Sequence, residues 1–172
     1  MNFKNFKLGF FLILMGGFCF PGSATEKVKA AELKAKTAAQ IILESYLKVQ
    51  SQLALDNLSA AQNELKSLEK TIKQSSLASA QEWKACSSLV LAVMRAKNIE
   101  ESRQNFAKWS DWQIASLKNQ PKLLDGQTFQ VSCPMALNNR GASWLQVGKS
   151  IRNPYYGAAM LKCGEIVGVK HH

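Results

Sequence analysis

Apolar residues recur every three or four positions over most of this chain, with polar residues between them. The pattern runs from Thr25 to about Gln120, a stretch that contains neither proline nor glycine and is rich in Ala, Leu, Lys, Glu and Gln. Spacings of three and four place side chains on one face of a helix, and these residue types are strong helix formers. The pattern predicts a mainly α-helical protein.

Start and stop signals divide this stretch into four predicted helices. The first helix is predicted from about Lys27 to Leu55, and Asp56 is placed to cap the second. The capping-box pairs Ser79 with Glu82 and Asn98 with Glu101 mark the starts of the third and fourth helices. Pro121 ends the fourth helix. Because short connections make neighbouring helices antiparallel, we expect an antiparallel four-helix bundle.

Each predicted helix has an apolar stripe that should face the others. The stripes are Ile42, Tyr46, Val49 and Leu53 on the first helix, Leu58, Ala61, Leu65, Leu68 and Ile72 on the second, Trp83, Cys86, Val90 and Val93 on the third, and Phe106, Trp109 and Leu117 on the fourth. Such stripes are buried against neighbouring elements.

The pattern changes after Pro121, where glycine and proline appear and short apolar runs replace the helical spacing. The runs 128–131 and 165–169 are typical of strands. If they pair, Cys133 and Cys163 lie at the same end of a two-stranded ribbon. We therefore expect a small irregular or β cap at about residues 122–172, within a single helical-bundle domain of residues 25–172.

The first 24 residues have the features of an export signal. Lys4 and Lys7 precede an uncharged apolar run, residues 8–20, and the small residues of the segment 21–24 suit cleavage after Ala24. The run is shorter than the roughly 20 residues that span a membrane. We expect a signal peptide at residues 1–24 and a periplasmic or secreted mature protein without a stable membrane span.

The chain is basic, with a formal charge of +10 at pH 7. Loss of residues 1–24 leaves 20 basic and 12 acidic residues, a balance of +8. In a cytosolic protein this would make nucleic acid a candidate partner, but an exported chain rarely meets it, and the lysines are spread along helices. We expect no nucleic-acid partner, and only weak attraction to an anionic membrane or an acidic protein.

The usual catalytic patterns are missing from the sequence. The only histidines are His171 and His172 at the end of the chain, so there is no internal imidazole for a triad or a Cys-His pair. There is also no Cys-x-x-Cys pattern for thiol exchange. We expect that the protein is not an enzyme and has no catalytic residues.

Four sulfur-bearing residues mark the C-terminal region as the candidate site. Cys133 and Met135 flank a proline, and Met160 and Cys163 are spaced by one helical turn. Thiolates and thioethers are soft ligands that suit Cu(I) or Ag(I), so one interpretation is a metal site of Cys133, Met135, Met160 and Cys163. In the other interpretation, Cys133 and Cys163 form a disulfide and the methionines are core packing.

The remaining candidates have simpler explanations. Three cysteines follow residue 24, an odd number for an oxidising compartment. Cys86 lies on an apolar stripe, where a free cysteine behaves as a small hydrophobe. The pair His171 and His172 is more simply explained as the end of the chain than as a source of imidazole ligands.

Aromatic residues are concentrated in the same C-terminal region. Trp144, Tyr155 and Tyr156 lie between the two sulfur motifs. Aromatic rings of this kind fill a core or shield a site from water, and they can also form an exposed binding surface. We expect packing as their main role.

Several of these segments together resemble a known family. They are Tyr46, 54–56, 60–61, 99–110 with Arg103, Phe106 and Ser110, 133–136, 141–145, Ile151, 153–157 and 160–164. Over residues 40–168 the chain resembles an uncharacterised bacterial domain family, found as free-standing exported proteins and at the C-terminus of periplasmic adaptors of copper and silver efflux pumps. The resemblance implies periplasmic heavy-metal handling, with Cys133, Met135, Met160 and Cys163 matching the motif sulfurs.

The sequence and the resemblance lead to two functional hypotheses. The first is an exported protein that binds Cu(I) or Ag(I) and delivers it to a heavy-metal efflux complex or another periplasmic protein. The second is an interaction module without metal, whose cap is held by a disulfide between Cys133 and Cys163. The state of these two thiols distinguishes the hypotheses.

Overall fold

The protein is mainly helical, as the sequence predicts, with a small antiparallel sheet after the helices. The computed structural model describes residues 36–118, 120–123 and 127–169. Its four long helices are α1 Ala38–Ala54, α2 Leu58–Gln74, α3 Gln81–Met94 and α4 Ile99–Leu117. The predicted signal peptide and the part of the first predicted helix before Lys36 lie outside these residues. No helix of the described part is long and apolar enough to cross a membrane.

The apolar stripes predicted from the spacing are confirmed as core positions. On α1, Tyr46, Val49 and Leu53 are completely buried, and on α2 the buried residues are Ala61, Leu65, Leu68 and Ile72. Leu58, the first residue of the predicted stripe on α2, is only half-buried. Burial of each large aliphatic side chain contributes about 1.5 to 3 kcal/mol, so these faces hold the helices together.

The helix caps agree with the sequence in one case and differ in two. Asn98 caps α4, and its side chain accepts a hydrogen bond from the amide of Glu101 at 2.9 Å. The other half of the predicted capping box is absent from the described residues, because the Glu101 carboxylate accepts from the amide of Lys97 instead. The prediction that Asp56 caps α2 is wrong, because Asn57 takes that position and accepts from the amide of Ala60. Asp56 has a φ of +58° and directs its carboxylate elsewhere.

The predicted capping box of α3 is also wrong. The residue before α3 is Ala80, which has no side chain that can cap. Ser79 is instead the last residue of a short 3₁₀ helix, Ser76–Ser79, which separates α2 from α3. The N-cap position of α3 is therefore taken by Ala80, one residue after the serine.

The described residues 127–169 contain three strands, whereas the sequence predicts two in this region. They are β1 Thr128–Cys133, β2 Ala142–Val147 and β3 Glu165–Val169, in the antiparallel order β2-β1-β3. The expected pairing of the first and last strands is confirmed. β2 is missing from the prediction because a half-exposed strand is recognised by alternating apolar and polar residues. In β2, Trp144, Leu145 and Gln146 are buried one after another, so this alternation is absent.

A tyrosine on α1 covers the outer edge of β2 and joins the helices to the sheet. The hydroxyl of Tyr46 lies 2.6 Å from Oγ of Ser110 and accepts from the amide of Leu145 at 3.1 Å. Ser110 donates its one hydroxyl hydrogen to the carbonyl of Ser143 at 2.8 Å, so Tyr46 must be the donor to Ser110. An open sheet edge attracts other strands, and here the edge amide is paired within the protein.

Candidate metal centre

The sheet brings Cys133 and Cys163 together, as the sequence predicts for paired strands. β1 ends at Cys133, and its antiparallel register with β3 places Ser132 opposite Glu165. Cys163 lies two residues before β3 and therefore reaches the end of β1. Interaction with the Cys133 side chain raises the pKa of Cys163, so the two side chains are neighbours, and both cysteines are free thiols.

Close packing at Gly164 makes this contact geometrically possible. The glycine has a φ of +137°, and a Cβ there would lie 2.9 Å from Cη2 of Trp144 and 3.1 Å from the carbonyl oxygen of Ser132. These distances are shorter than ordinary van der Waals contacts, so a side chain would push the strand away. Glycine lets the backbone beside Cys163 approach the end of β1.

Asn153 holds the loop that carries Cys163. Its side-chain amide donates to the carbonyl of Cys163 at 2.8 Å, and its side-chain oxygen accepts from the amides of Tyr155 and Tyr156 at 2.8 and 3.2 Å. Its own amide donates to the carbonyl of Leu161 at 2.8 Å. Asn153 is completely buried, so this one residue fixes both ends of the loop.

The contact between the thiols changes the acidity of Cys163. The hydrogen bond with Cys133 is the largest cause that raises the pKa of Cys163 to about 11, and loss of solvation and the electrostatic interaction with Cys133 act in the same direction. Cys163 is therefore protonated at neutral pH. A soft metal ion that binds here must displace the proton, because the thiolate is the ligand.

The two cysteines differ in their access to solvent. Cys133 is completely buried, whereas Cys163 is half-buried. An ion or an oxidant therefore reaches the pair from the side of Cys163. This arrangement suits exchange with a partner, since one sulfur atom is held in the core while the other lies near the surface.

The two methionines of the predicted site occupy different surroundings. The amide of Cys163 donates to the carbonyl of Met160 at 3.0 Å, so these residues share one turn, and Met160 is half-buried. Met135 follows Cys133 by two residues, but its side chain is 47% exposed while that of Cys133 is fully buried. The carbonyl of Met135 accepts a hydrogen bond from the hydroxyl of Tyr156, which fixes the backbone of that turn.

The remaining sequence candidates are Cys86 and the two histidines at positions 171 and 172. Cys86 is fully buried in the helical core, as expected, and burial is the largest cause that raises its pKa to about 12. His171 and His172 lie outside the described residues. Within the described part of the chain, no group of three or more His, Cys, Asp or Glu side chains is placed to hold a metal ion.

The aromatic residues of the region pack as the sequence predicts. Trp144 is fully buried and meets Tyr155 edge to face, with ring centroids 5.8 Å apart. The hydroxyl of Tyr155 donates to the carbonyl of Ser143 at 2.8 Å. The sequence predicts no role for Asn153 or Gly164. Both residues lie in segments of the family resemblance, and Asn before Pro and glycine are signals of a turn.

A second polar cluster fixes the other side of the same loop to the helices. Arg103 donates from Nε to the carbonyl of Pro154 at 2.8 Å and from Nη2 to Asp56. Asp56 also accepts from the amide of Ala158 at 2.9 Å. That bond is the largest cause of a lowered pKa of Asp56, followed by the bond from Arg103. The left-handed backbone of Asp56 is therefore used to hold the loop.

Comparison with known proteins adds a family match for the helices. The family model described as "Protein of unknown function (DUF3347)" matches residues 42–122, which is consistent with the expected resemblance to a domain family of unknown function. The match begins within α1 and ends before β1, so Cys133 and Cys163 lie outside it. No curated protein and no solved structure matches the chain.

Proposed function

We propose that this protein binds a soft metal ion, Cu(I) or Ag(I), through Cys133 and Cys163. The observation that carries the proposal is the β1–β3 register, which brings the two thiols together at the end of β1, where Cys133 raises the pKa of Cys163. Two thiolates suit Cu(I) and Ag(I) better than they suit a hard ion. Met160, which shares a turn with Cys163, is the first choice for a thioether ligand, and Met135, which is exposed, is the second.

The surroundings of the pair favour transfer as well as binding. Cys133 is anchored in the core and Cys163 lies near the surface, so a partner ligand can replace the outer sulfur first. The pKa of Cys163, about 11, means that binding at neutral pH releases a proton. We therefore expect the affinity for the metal to rise with pH.

We place this activity in an exported protein. The features of residues 1–24 support export, and the resemblance to modules of copper and silver efflux adaptors supports delivery to a heavy-metal efflux complex. A four-helix bundle would be the scaffold of the module. No catalytic role is proposed for any residue.

A second candidate function rests on the same contact. Two neighbouring thiols can also form a disulfide by oxidation in a compartment that favours disulfides. Cys133 and Cys163 would then fix the cap, and the protein would act as an interaction module without metal. In this case oxidation consumes the ligands that the first proposal needs.

An anaerobic competition titration tests the first proposal. The mature, fully reduced protein competes for Cu(I) with a coloured chelator, and free thiols are counted on the protein as purified. We expect binding of one ion per chain, lost in Cys133→Ser and in Cys163→Ser. The matched control is Cys86→Ala, which removes a buried thiol of the helical core and should leave the affinity unchanged.

The methionines are tested in the same assay. Met160→Leu should weaken binding and Met135→Leu should have the smaller effect, because Met160 shares a turn with Cys163. Failure of the reduced protein to compete for Cu(I) would refute the metal proposal. If the purified protein also shows a single free thiol, the disulfide-fixed module is the function to pursue.

A further inference from the structure

A polar groove lies between α4 and the segment that follows β1. It consists of two neighbouring cavities of about 190 and 310 Å³, which share Gln104, Leu137 and Arg140. The smaller cavity is also lined by Glu100, Arg103, Asn138 and Tyr156. No residue of the proposed metal site lines either cavity, so the groove is a separate feature of the described molecule.

Arg103 presents a fixed guanidinium group to the smaller cavity. Its Nε donates to the carbonyl of Pro154, and its Nη2 donates to the carbonyl of Leu53 and to Asp56. The side chain is only 11% exposed. These bonds hold the guanidinium group in place and leave its Nη1 without a partner among the described residues.

Arg140 faces the same cavity from an unusual turn. Leu137, Asn138 and Asn139 have φ values of +54°, +60° and +63°, a left-handed conformation that costs about 1 to 2 kcal/mol for each such residue. Arg140 donates from Nε to the carbonyl of Leu137 at 3.0 Å. The strained turn therefore orients a second guanidinium group, whose two terminal nitrogens are unpaired within the described part of the chain.

The other polar groups of the cavity decide which ligand fits it. The hydroxyls of Tyr155 and Tyr156 are already used, since they donate to the carbonyls of Ser143 and Met135. The amide groups of Gln104 and Asn138 have no partner in the described chain and can donate. Glu100 is the one carboxylate among the lining residues of the smaller cavity, so donors outnumber acceptors.

We propose that this cavity binds a small tetrahedral oxyanion of the phosphate type between Arg103 and Arg140. Guanidinium groups bind phosphate oxygens with directed, charge-assisted hydrogen bonds. A tetrahedral anion has enough oxygens to accept from both walls at once. Arg103 is held by three hydrogen bonds before the ligand arrives and Arg140 by one, which reduces the conformational freedom lost on binding.

The test is an NMR titration of the mature protein with inorganic phosphate, in which the Nε–H signals of Arg103 and Arg140 are followed. We expect saturable shifts of both signals. Arg140→Gln should weaken binding about tenfold or more, because charge-assisted hydrogen bonds are lost, and Arg140→Lys should restore only part of it. Glu100→Gln should strengthen binding about two- to fivefold, because it removes the carboxylate that lines the smaller cavity.

Arg95→Gln is the matched control, because it removes an exposed arginine that lines neither cavity. It should change the affinity by less than about twofold. The proposal is overturned if phosphate gives no saturable shift, or if the control weakens binding as much as Arg140→Gln, since that would indicate general attraction to a basic surface. Equal affinity for acetate would overturn the choice of a tetrahedral anion.

Discussion

Removal of the Tyr46 hydroxyl tests how the sheet is attached to the helices. In Tyr46→Phe the ring stays, but Ser110 loses its donor and the buried amide of Leu145 loses its acceptor. Two hydrogen bonds contribute about 0.5 to 1.5 kcal/mol each, and an unpaired buried amide costs about 1 to 3 kcal/mol. Allowing for overlap between these contributions, we expect the free energy of unfolding to fall by about 2 to 4 kcal/mol.

The assay is equilibrium unfolding in urea, followed by circular dichroism. With a dependence on urea of about 2 kcal/mol per molar unit, the middle of the range for small proteins, the midpoint should fall by about 1 to 2 M. Ser110→Ala is the comparison, and it should cost less because the carbonyl of Ser143 keeps the hydrogen bond from Tyr155. A loss below about 0.5 kcal/mol for Tyr46→Phe would show that the network does not hold the edge of β2.

Three further predictions concern the loop, the core and a helix cap. Gly157→Ala places a Cβ against the carboxylate of Asp56, whereas Gly148→Ala meets nothing within 4 Å. Both glycines have positive φ, so in thermal unfolding Gly157→Ala should destabilise the protein by at least about 1 kcal/mol more than Gly148→Ala does. Equal losses would contradict the close packing at Gly157. The pKa of Cys86 is raised to about 12, so above about pH 9 the folded state keeps a proton that the unfolded chain loses. The free energy of unfolding should therefore fall as pH rises from about 9 towards 12. Urea unfolding at a series of pH values should show a smaller fall for Cys86→Ala. Asn98→Ala should cost about 1 kcal/mol in urea, and Ser79→Ala close to nothing, because only the first side chain caps a long helix; a larger loss for Ser79→Ala would refute the assigned caps.

The helices follow from the sequence because their signals are local. The stripe of Ala61, Leu65, Leu68 and Ile72 repeats at the period of the helix, and such a pattern has one face to bury in any compact fold. Asn98 is likewise recognised from residues within one turn of it. Where two residues compete for a cap, as Asp56 and Asn57 do, the choice depends on a distant partner, Arg103, which the local pattern does not contain.

The candidate site divides in the same way between sequence and structure. The sequence identified Cys133 and Cys163 as a pair, because two strand-like runs that pair antiparallel must bring them to one end. It did not identify the exposure of Met135, the loop held by Asn153, or β2, whose consecutive buried residues carry no period. Nor did it give a role to Arg140, or to Arg103, which it singled out only as part of the family resemblance. Spacing along a chain fixes which side chains share a face of one element, whereas burial, hydrogen-bond partners and pKa depend on elements that meet only when the chain is folded.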